Sequence, residues 1–235
     1  MAKDKLKRWA ENKTFSHVFE PSLLPIIKEG RTFMKGEWRS QFFKNDHPLV
    51  IELGCGKGEY TVELAKAHPH INYLGIDVKG HRFNHGARKA NALGLTNVAF
   101  LRTRIEFIES FFDQDEVDEI WLTFSDPQPK DFIGHRRITS KVYWEKYRNF
   151  LKNNGKIHIK HDNPMVYQSA LEELETTHHI IETHTDNVYG DYLNTLSSKE
   201  KEILSIRTFY ESRWLGEGKK IHYLRFRYQK GLPKI

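Results

Sequence analysis

Cysteine is almost missing from this chain of 235 residues: Cys55 stands alone, so no intrachain disulfide can form. A reducing compartment, the cytoplasm, is the expected setting. No apolar run approaches the roughly 18 residues that a membrane span needs, so no membrane association is expected. The N-terminal text "MAKDKLKRWAENKTF" carries lysines but no apolar core segment, which excludes a secretory signal. Internal repeats, low-complexity tracts and clear linkers are absent. The 13 histidines include neither H-E-x-x-H nor companions among paired cysteines, so no metal site is expected. There is no G-x-S-x-G elbow, which argues against acyl transfer.

What is present is a globular composition, 38% hydrophobic and 13% aromatic, with a formal charge of +6 and a pI near 9.2. This length suits one domain with a real core, and the basic excess suits a polyanionic partner. Residues 1–35 read as a basic N-terminal extension, a solvated tail or an arm that orders on nucleic acid, and 36–235 as a single domain. From residue 48 the text alternates. "PLVIEL", "INYLGID", "NVAFL", "VDEIWLTFS" and "GKIHIKHD" read as strands. Between and after them "KGEYTVELAKAH", "KGHRFNHGARKANALG", "IEFIESFF", "SKVYWEKYRNFLKNNG" and "NPMVYQSALEELETT" read as helices, the fourth stopping at Gly155 and the last capped by Asn163 with Pro164 at its first position. The pattern predicts an α/β, doubly wound, mostly parallel sheet, with "IHYLRFRYQ" as a last, antiparallel strand. Ligands of such sheets bind at the C-terminal strand edge.

At that edge "IELGCGKGEY" places Glu52, Gly54, Gly56 and Gly58. The glycines permit a tight turn and close approach of backbone to ligand. A dinucleotide fingerprint would need glycine at Glu59, and a P-loop would end in Gly-Lys-Ser/Thr; neither is present. Asp77, ending the second strand about 20 residues past the glycines, stands where a ribose-binding carboxylate is expected. The G-x-G-x-G spacing resembles the S-adenosylmethionine site of class I methyltransferases. Cys55 reads as a small residue of this turn.

The fourth strand runs into "SDPQPKDFIGHRRIT". Pro127 and Pro129 stiffen a loop that carries the carboxylate of Asp126 on the ligand edge, an arrangement suited to catalysis. Lys130, His135, Arg136 and Arg137 beside it suit phosphates. This stretch resembles the signature "PDPWPKxxHxKRRI" of the tRNA (guanine-N7-)-methyltransferase family. "HIKHDNPMVY" is similar to that family's segment around the fifth strand, and "IRTFYESR" to its late "T-K-F-E-x-R" segment. The similarity runs in order over roughly residues 36–215.

The resemblance implies methyl transfer from S-adenosylmethionine to N7 of a guanosine in the variable loop of tRNA, by a cytoplasmic monomer or homodimer. It ties Glu52, Asp77 and Asp126 to the cofactor, with Asp126 also the catalytic candidate. It ties Lys130, Asp162 and the segment 208–211, with Thr208 and Glu211, to guanosine and tRNA. The chain departs from the family pattern at Ser125, which replaces a proline, and at Gln128, which replaces a tryptophan. Arg104, in "FLRTRIEFI", stands where the family has Asp or Asn near the adenine, with Glu106 as a nearby stand-in.

N7 of guanine offers a free lone pair and has no proton to lose, so no strong base is needed. A carboxylate can stabilise the positive charge arriving on the base. A cationic side chain on N7 would compete for the lone pair. Asp162 and Glu211 are therefore the expected acceptors for N1–H and the 2-amino group. The rival readings are a methyltransferase of another substrate and an inactive RNA-binding relative.

Overall fold

The computed structural model describes residues 2–128 and 131–231. It opens with helix α1 (Ala2–Asn12), the two-residue strand β1 (Val18–Phe19) and helix α2 (Leu23–Glu29). Six elements follow that build the first half of the sheet: β2 (Leu49–Leu53), α3 (Glu59–Ala67), β3 (Asn72–Asp77), α4 (Gly80–Ala92), β4 (Val98–Arg102) and β5 (Val117–Thr123). The second half comprises α5 (Lys141–Tyr147), β6 (Leu151–His161), α6 (Pro164–Thr177), β7 (Ile180–Thr185), α7 (Ser198–Leu204), α8 (Phe209–Gly216) and β8 (His222–Arg227). The strands form one sheet in the order β1-β4-β3-β2-β5-β6-β8-β7. All neighbours pair in parallel except β6–β8 and β8–β7, as expected for a doubly wound sheet closed by an antiparallel C-terminal strand.

Strand residues alternate between two buried faces. Leu49, Ile51 and Leu53 of β2 join Trp144, Tyr147, Leu174 and Trp38 on one side, while Val50 joins Tyr60, Leu64, Phe83 and Phe100 on the other. Glu52 shares the parity of Val50 and so points toward α3. Among the described residues no helix is long and apolar enough to cross a membrane.

Three elements differ from the sequence reading. The helix expected to reach Gly155 ends at Tyr147, and β6 already begins at Leu151. The segment "NFLKNNG" has poor helix formers, and Asn154 takes a left-handed φ of +61°. Gly155 packs so closely on Leu151 that a Cβ there would lie 2.6 Å from its side chain. "IEFIESFF" forms only a tight 3₁₀ turn over Ile105–Ser110. The basic N-terminus is neither a tail nor a free arm: α1 is docked on α4. Asn12 is fully buried, and its Nδ2 donates to the Gly80 carbonyl at 3.0 Å. Asn84 donates to Asn12 at 2.9 Å, and Arg88 pairs with Glu11 at 2.6 Å.

Candidate active site

A cleft of about 540 Å³ opens at the C-terminal ends of β2, β3, β4 and β5. Its floor is the glycine turn. Gly54, Gly56 and Gly58 have φ of +78°, +56° and +72°, a region where side chains are strained. Gly58 has no room for one either, since its Cβ would sit 2.5 Å from the Phe100 ring. The turn is pinned to β3: the N–H groups of Gly54 and Cys55 donate to the Ile76 carbonyl at 2.8 and 3.0 Å. Gly56 N–H donates to Asp77 Oδ2 at 3.0 Å, and Lys79 N–H donates to Oδ1 at 2.7 Å. Asp77 thus braces the turn and still lines the cleft.

Glu52 lies beneath the turn and is not among the residues lining the cleft. Thr61 N–H donates to its Oε2 at 3.0 Å, and the hydroxyls of Thr61 and Thr123 donate to its two oxygens at short range. Burial pushes its carboxyl up to about 7, against those hydrogen bonds. Burial, followed by the charges of Asp77 and Glu52, holds the Cys55 thiol well above the ordinary range. Cys55 therefore stays protonated, the small turn residue the sequence suggests.

The end of β5 carries the carboxylate loop. Phe124 and Gln128 sit at φ of +49° and +42°, costly for residues with side chains. Asp126 is exposed to the cleft, and its Oδ1 accepts the Gln128 N–H at 3.1 Å. The strain is held from two sides. Arg137 is buried, not free for phosphates as the sequence suggested. Its Nε donates to the Pro127 carbonyl at 2.8 Å and its Nη2 to the Gln128 carbonyl at 3.1 Å. A guanidinium has no acceptor and five donors, so it suits a bend full of inward carbonyls. His161 supplies the second hold. Its Nδ1 accepts the Asn163 N–H at 2.9 Å, so Nε2 carries the hydrogen and donates to the Ser125 carbonyl at 2.8 Å. Arg136 is exposed and lines the cleft; Lys130 lies outside the described residues.

The opposite wall comes from the N-terminus of α8. Thr208 and Tyr210 line the cleft. Glu211 does not, and it has no free face for a base: it is fully buried, pairs with Lys160 Nζ at 2.7 Å and accepts the Tyr189 hydroxyl at 2.8 Å. It also closes the capping box with Thr208. Lys160, equally buried, donates to the carbonyls of Leu204 and Ile206 at 2.8 and 3.1 Å, tying the α7–α8 connection to β6. Asp162 is not in the cleft. It pairs with Lys219 at 3.2 Å in a separate depression beside Pro164 and His222.

The third wall, past β4, holds Arg104 and Glu106, whose side chains pair at 3.0 Å. Among the lining residues passed over in the sequence are Lys57 and Glu59. Glu59 Oε2 accepts the Phe209 N–H at 2.8 Å and Lys57 lies 3.5 Å over the Phe209 ring, joining the glycine turn to α8. Their place inside the glycine motif was the available signal.

Comparison with known proteins agrees with this fold. A family model described as "Putative methyltransferase" matches residues 46–224. The chain is 45% identical to the tRNA (guanine-N(7)-)-methyltransferase of Christiangramia forsetii, covering 96% of this chain and 98% of that one. It is 44% identical to the enzyme of the same name from Bacteroides thetaiotaomicron, covering 97% and 86%. Among solved structures, a 16S rRNA methyltransferase superposes with a TM-score of 0.61 at 14% identity over 85% of this chain and 95% of that one. An antibiotic-related methyltransferase gives 0.58 at 17% over 84% and 94%. At such identities these two share only the fold. The chain belongs to the tRNA (guanine-N7-)-methyltransferase family.

Proposed function

We propose that this protein transfers a methyl group from S-adenosylmethionine to N7 of a guanosine in the variable loop of tRNA. The observation that carries the reading is the pair of carboxylates flanking the glycine turn in one cleft: Asp77 ends β3 and Asp126 follows β5, on either side of β2. The cleft volume suits a cofactor-sized ligand. Asp77 suits a ribose diol, and the turn lets an extended ligand lie against backbone. Glu52 serves the cofactor from below, by keeping Thr61, Thr123 and the turn in register.

The bound cofactor supplies an electrophilic methyl group on a sulfonium. The residues of this chain orient and stabilise. Asp126 faces the cleft and accepts the neutral Gln128 N–H, so its carboxylate can stabilise positive charge as it arrives on the base. Thr208 and Tyr210, held by the Glu211–Lys160 pair, form the wall on which a guanine drawn from its stack would rest. Arg136 and the family-matched Lys130 serve phosphates. Glu211 acts by positioning this wall, not by touching the base.

Incubation with an unmodified tRNA transcript and labelled cofactor, followed by nucleoside mass spectrometry and fragment mapping, tests the reading. It requires 7-methylguanosine in the variable loop. Label on another nucleoside, on protein or on a small molecule would refute it.

A further inference from the structure

Asp126 is placed by the backbone on either side of it. The carbonyl after it, of Pro127, accepts from the Arg137 guanidinium at 2.8 Å, and the carbonyl before it, of Ser125, accepts from His161 Nε2 at 2.8 Å. Ser125 stands where the family pattern has proline, so no ring fixes φ at this position. The imidazole bond supplies a hold there instead. His161 is 2% exposed, and its Nδ1 accepts the Asn163 N–H at 2.9 Å. Asn163 in turn caps α6, its Oδ1 accepting the Met165 N–H at 2.9 Å. One buried ring therefore ties the carboxylate loop after β5 to the start of α6.

The two holds differ in chemistry. A guanidinium stays charged, whereas an imidazole can take up a proton near neutrality. With Asn163 donating to Nδ1, only the neutral form with its hydrogen on Nε2 satisfies both contacts. A further proton on Nδ1 would set donor against donor. Asp162 Oδ1 lies 3.5 Å from Nδ1, and a ring turned toward it withdraws Nε2 from Ser125. Burial holds the imidazole below its ordinary value of 6.5, against the Ser125 carbonyl and the carboxylates of Asp162 and Asp126, and together with the charge of His222 from β8. Asp162 is itself paired with Lys219 at 3.2 Å. The neutral form is thus the one present at neutral pH, and the hold is lost as pH falls.

We propose that His161 is a positioning residue that sets Asp126 for methyl transfer, and that it does so only as the neutral imidazole. The assignment rests on the methyl-transfer reading above and adds a residue outside the lining of the cleft. The test is single-turnover methylation of a tRNA transcript, with enzyme and S-adenosylmethionine saturating, between about pH 5 and 8. The wild-type rate should be level above about pH 6.5 and fall toward tenfold per pH unit once His161 takes up its proton. His161→Gln keeps an amide donor for Ser125 and does not titrate. Its rate at about pH 7.5 should stay within about threefold of wild type, and the acid fall should vanish. His161→Leu removes the donor, so it should be at least about tenfold slower and equally flat. Thermal melting at each pH confirms folded protein; if the Leu variant does not fold, the Gln profile decides alone. An acid fall that persists in His161→Gln would overturn the assignment and leave the methyl-transfer reading standing. So would a wild-type rate that stays level down to about pH 5, or a wild-type rate in His161→Leu. Failure of the wild-type protein to methylate tRNA at any pH would overturn both.

Discussion

Asp126 and Glu211 show what a carboxylate's surroundings decide. Asp126 meets the cleft with one neutral donor, the Gln128 N–H. Glu211 spends its oxygens on Lys160, Tyr189 and the α8 cap. Asp126→Asn keeps the shape and removes the charge. Single-turnover methyl transfer should fall by about 10²-fold, while tRNA affinity stays nearly constant. Wild-type rates would leave Asp126 a turn residue. Lys160→Met should instead act on stability, at about 3–5 kcal/mol, because it strands a buried carboxylate; urea denaturation measures this. Glu52 gives a pH signature. Its folded value of about 7 lies above the ordinary 4.5, so the native state holds a proton that the unfolded chain has released. Stability should therefore fall as pH rises from about 4.5 to 7, and Glu52→Gln should flatten that slope. Melting temperatures across the window decide it. The sequence showed the type and spacing of these residues. It could not show which way Glu211 or Arg137 faces, since both belong to motifs rich in surface-like charge; Glu211 is turned inward by Lys160 and Tyr189 from distant segments, and Arg137 by carbonyls of its own β5–α5 connection.

At the scale of elements, the five parallel core strands and their principal helices were legible because each strand contains a short apolar run, four of the five closed by glycine, aspartate or serine and "NVAFL" by Arg102. The end of α5 was not. "KVYWEKYRNFL" keeps a helical apolar spacing, yet pairing of Phe150 and Leu151 with Val117 begins the next strand there, so sheet contacts override the local pattern. The short α7 and α8 carry capping boxes at Ser197–Glu200 and Thr208–Glu211 that mark their starts in the sequence. The carboxylate loop is the element on which the proposed methyl transfer hangs, and Arg137 is its brace. Arg137→Ala should release the carbonyls of Pro127 and Gln128 and loosen a loop held at two positive φ values. Methyl transfer should drop by at least about tenfold, as expected when a reacting group is misplaced. The salt dependence of tRNA binding should not change. A flatter salt slope for this variant would return Arg137 to the phosphates.

At the scale of the whole molecule, cations stand around the cleft beside the carboxylates Glu59, Asp77, Glu106 and Asp126. Lys79, Arg82, Arg104 and Arg136 line it. On its β4 side α1 adds to them: Lys5, Arg82, Arg8 and Lys79 all act on His81, which burial first and then these charges hold below its ordinary range. Arg102 lies 5.7 Å over the Trp9 ring and Trp9 lies edge-on to His81, 6.0 Å away, so α1 is fixed to this rim by aromatic contacts as well as by Asn12. A docked helix presents its charges without the ordering cost of a free arm. This face should guide a polyanion toward the carboxylate loop, with affinity falling linearly in log–log terms as salt rises. Lys5→Ala and Arg8→Ala, which leave the Asn12 and Glu11 contacts intact, should each flatten the slope by roughly 0.7–0.9 if each neutralises one phosphate. Fluorescence anisotropy of labelled tRNA between about 50 and 200 mM salt provides the measurement. Unchanged slopes in both variants would assign α1 to holding α4 alone, and would place the RNA on the Arg136 side of the cleft.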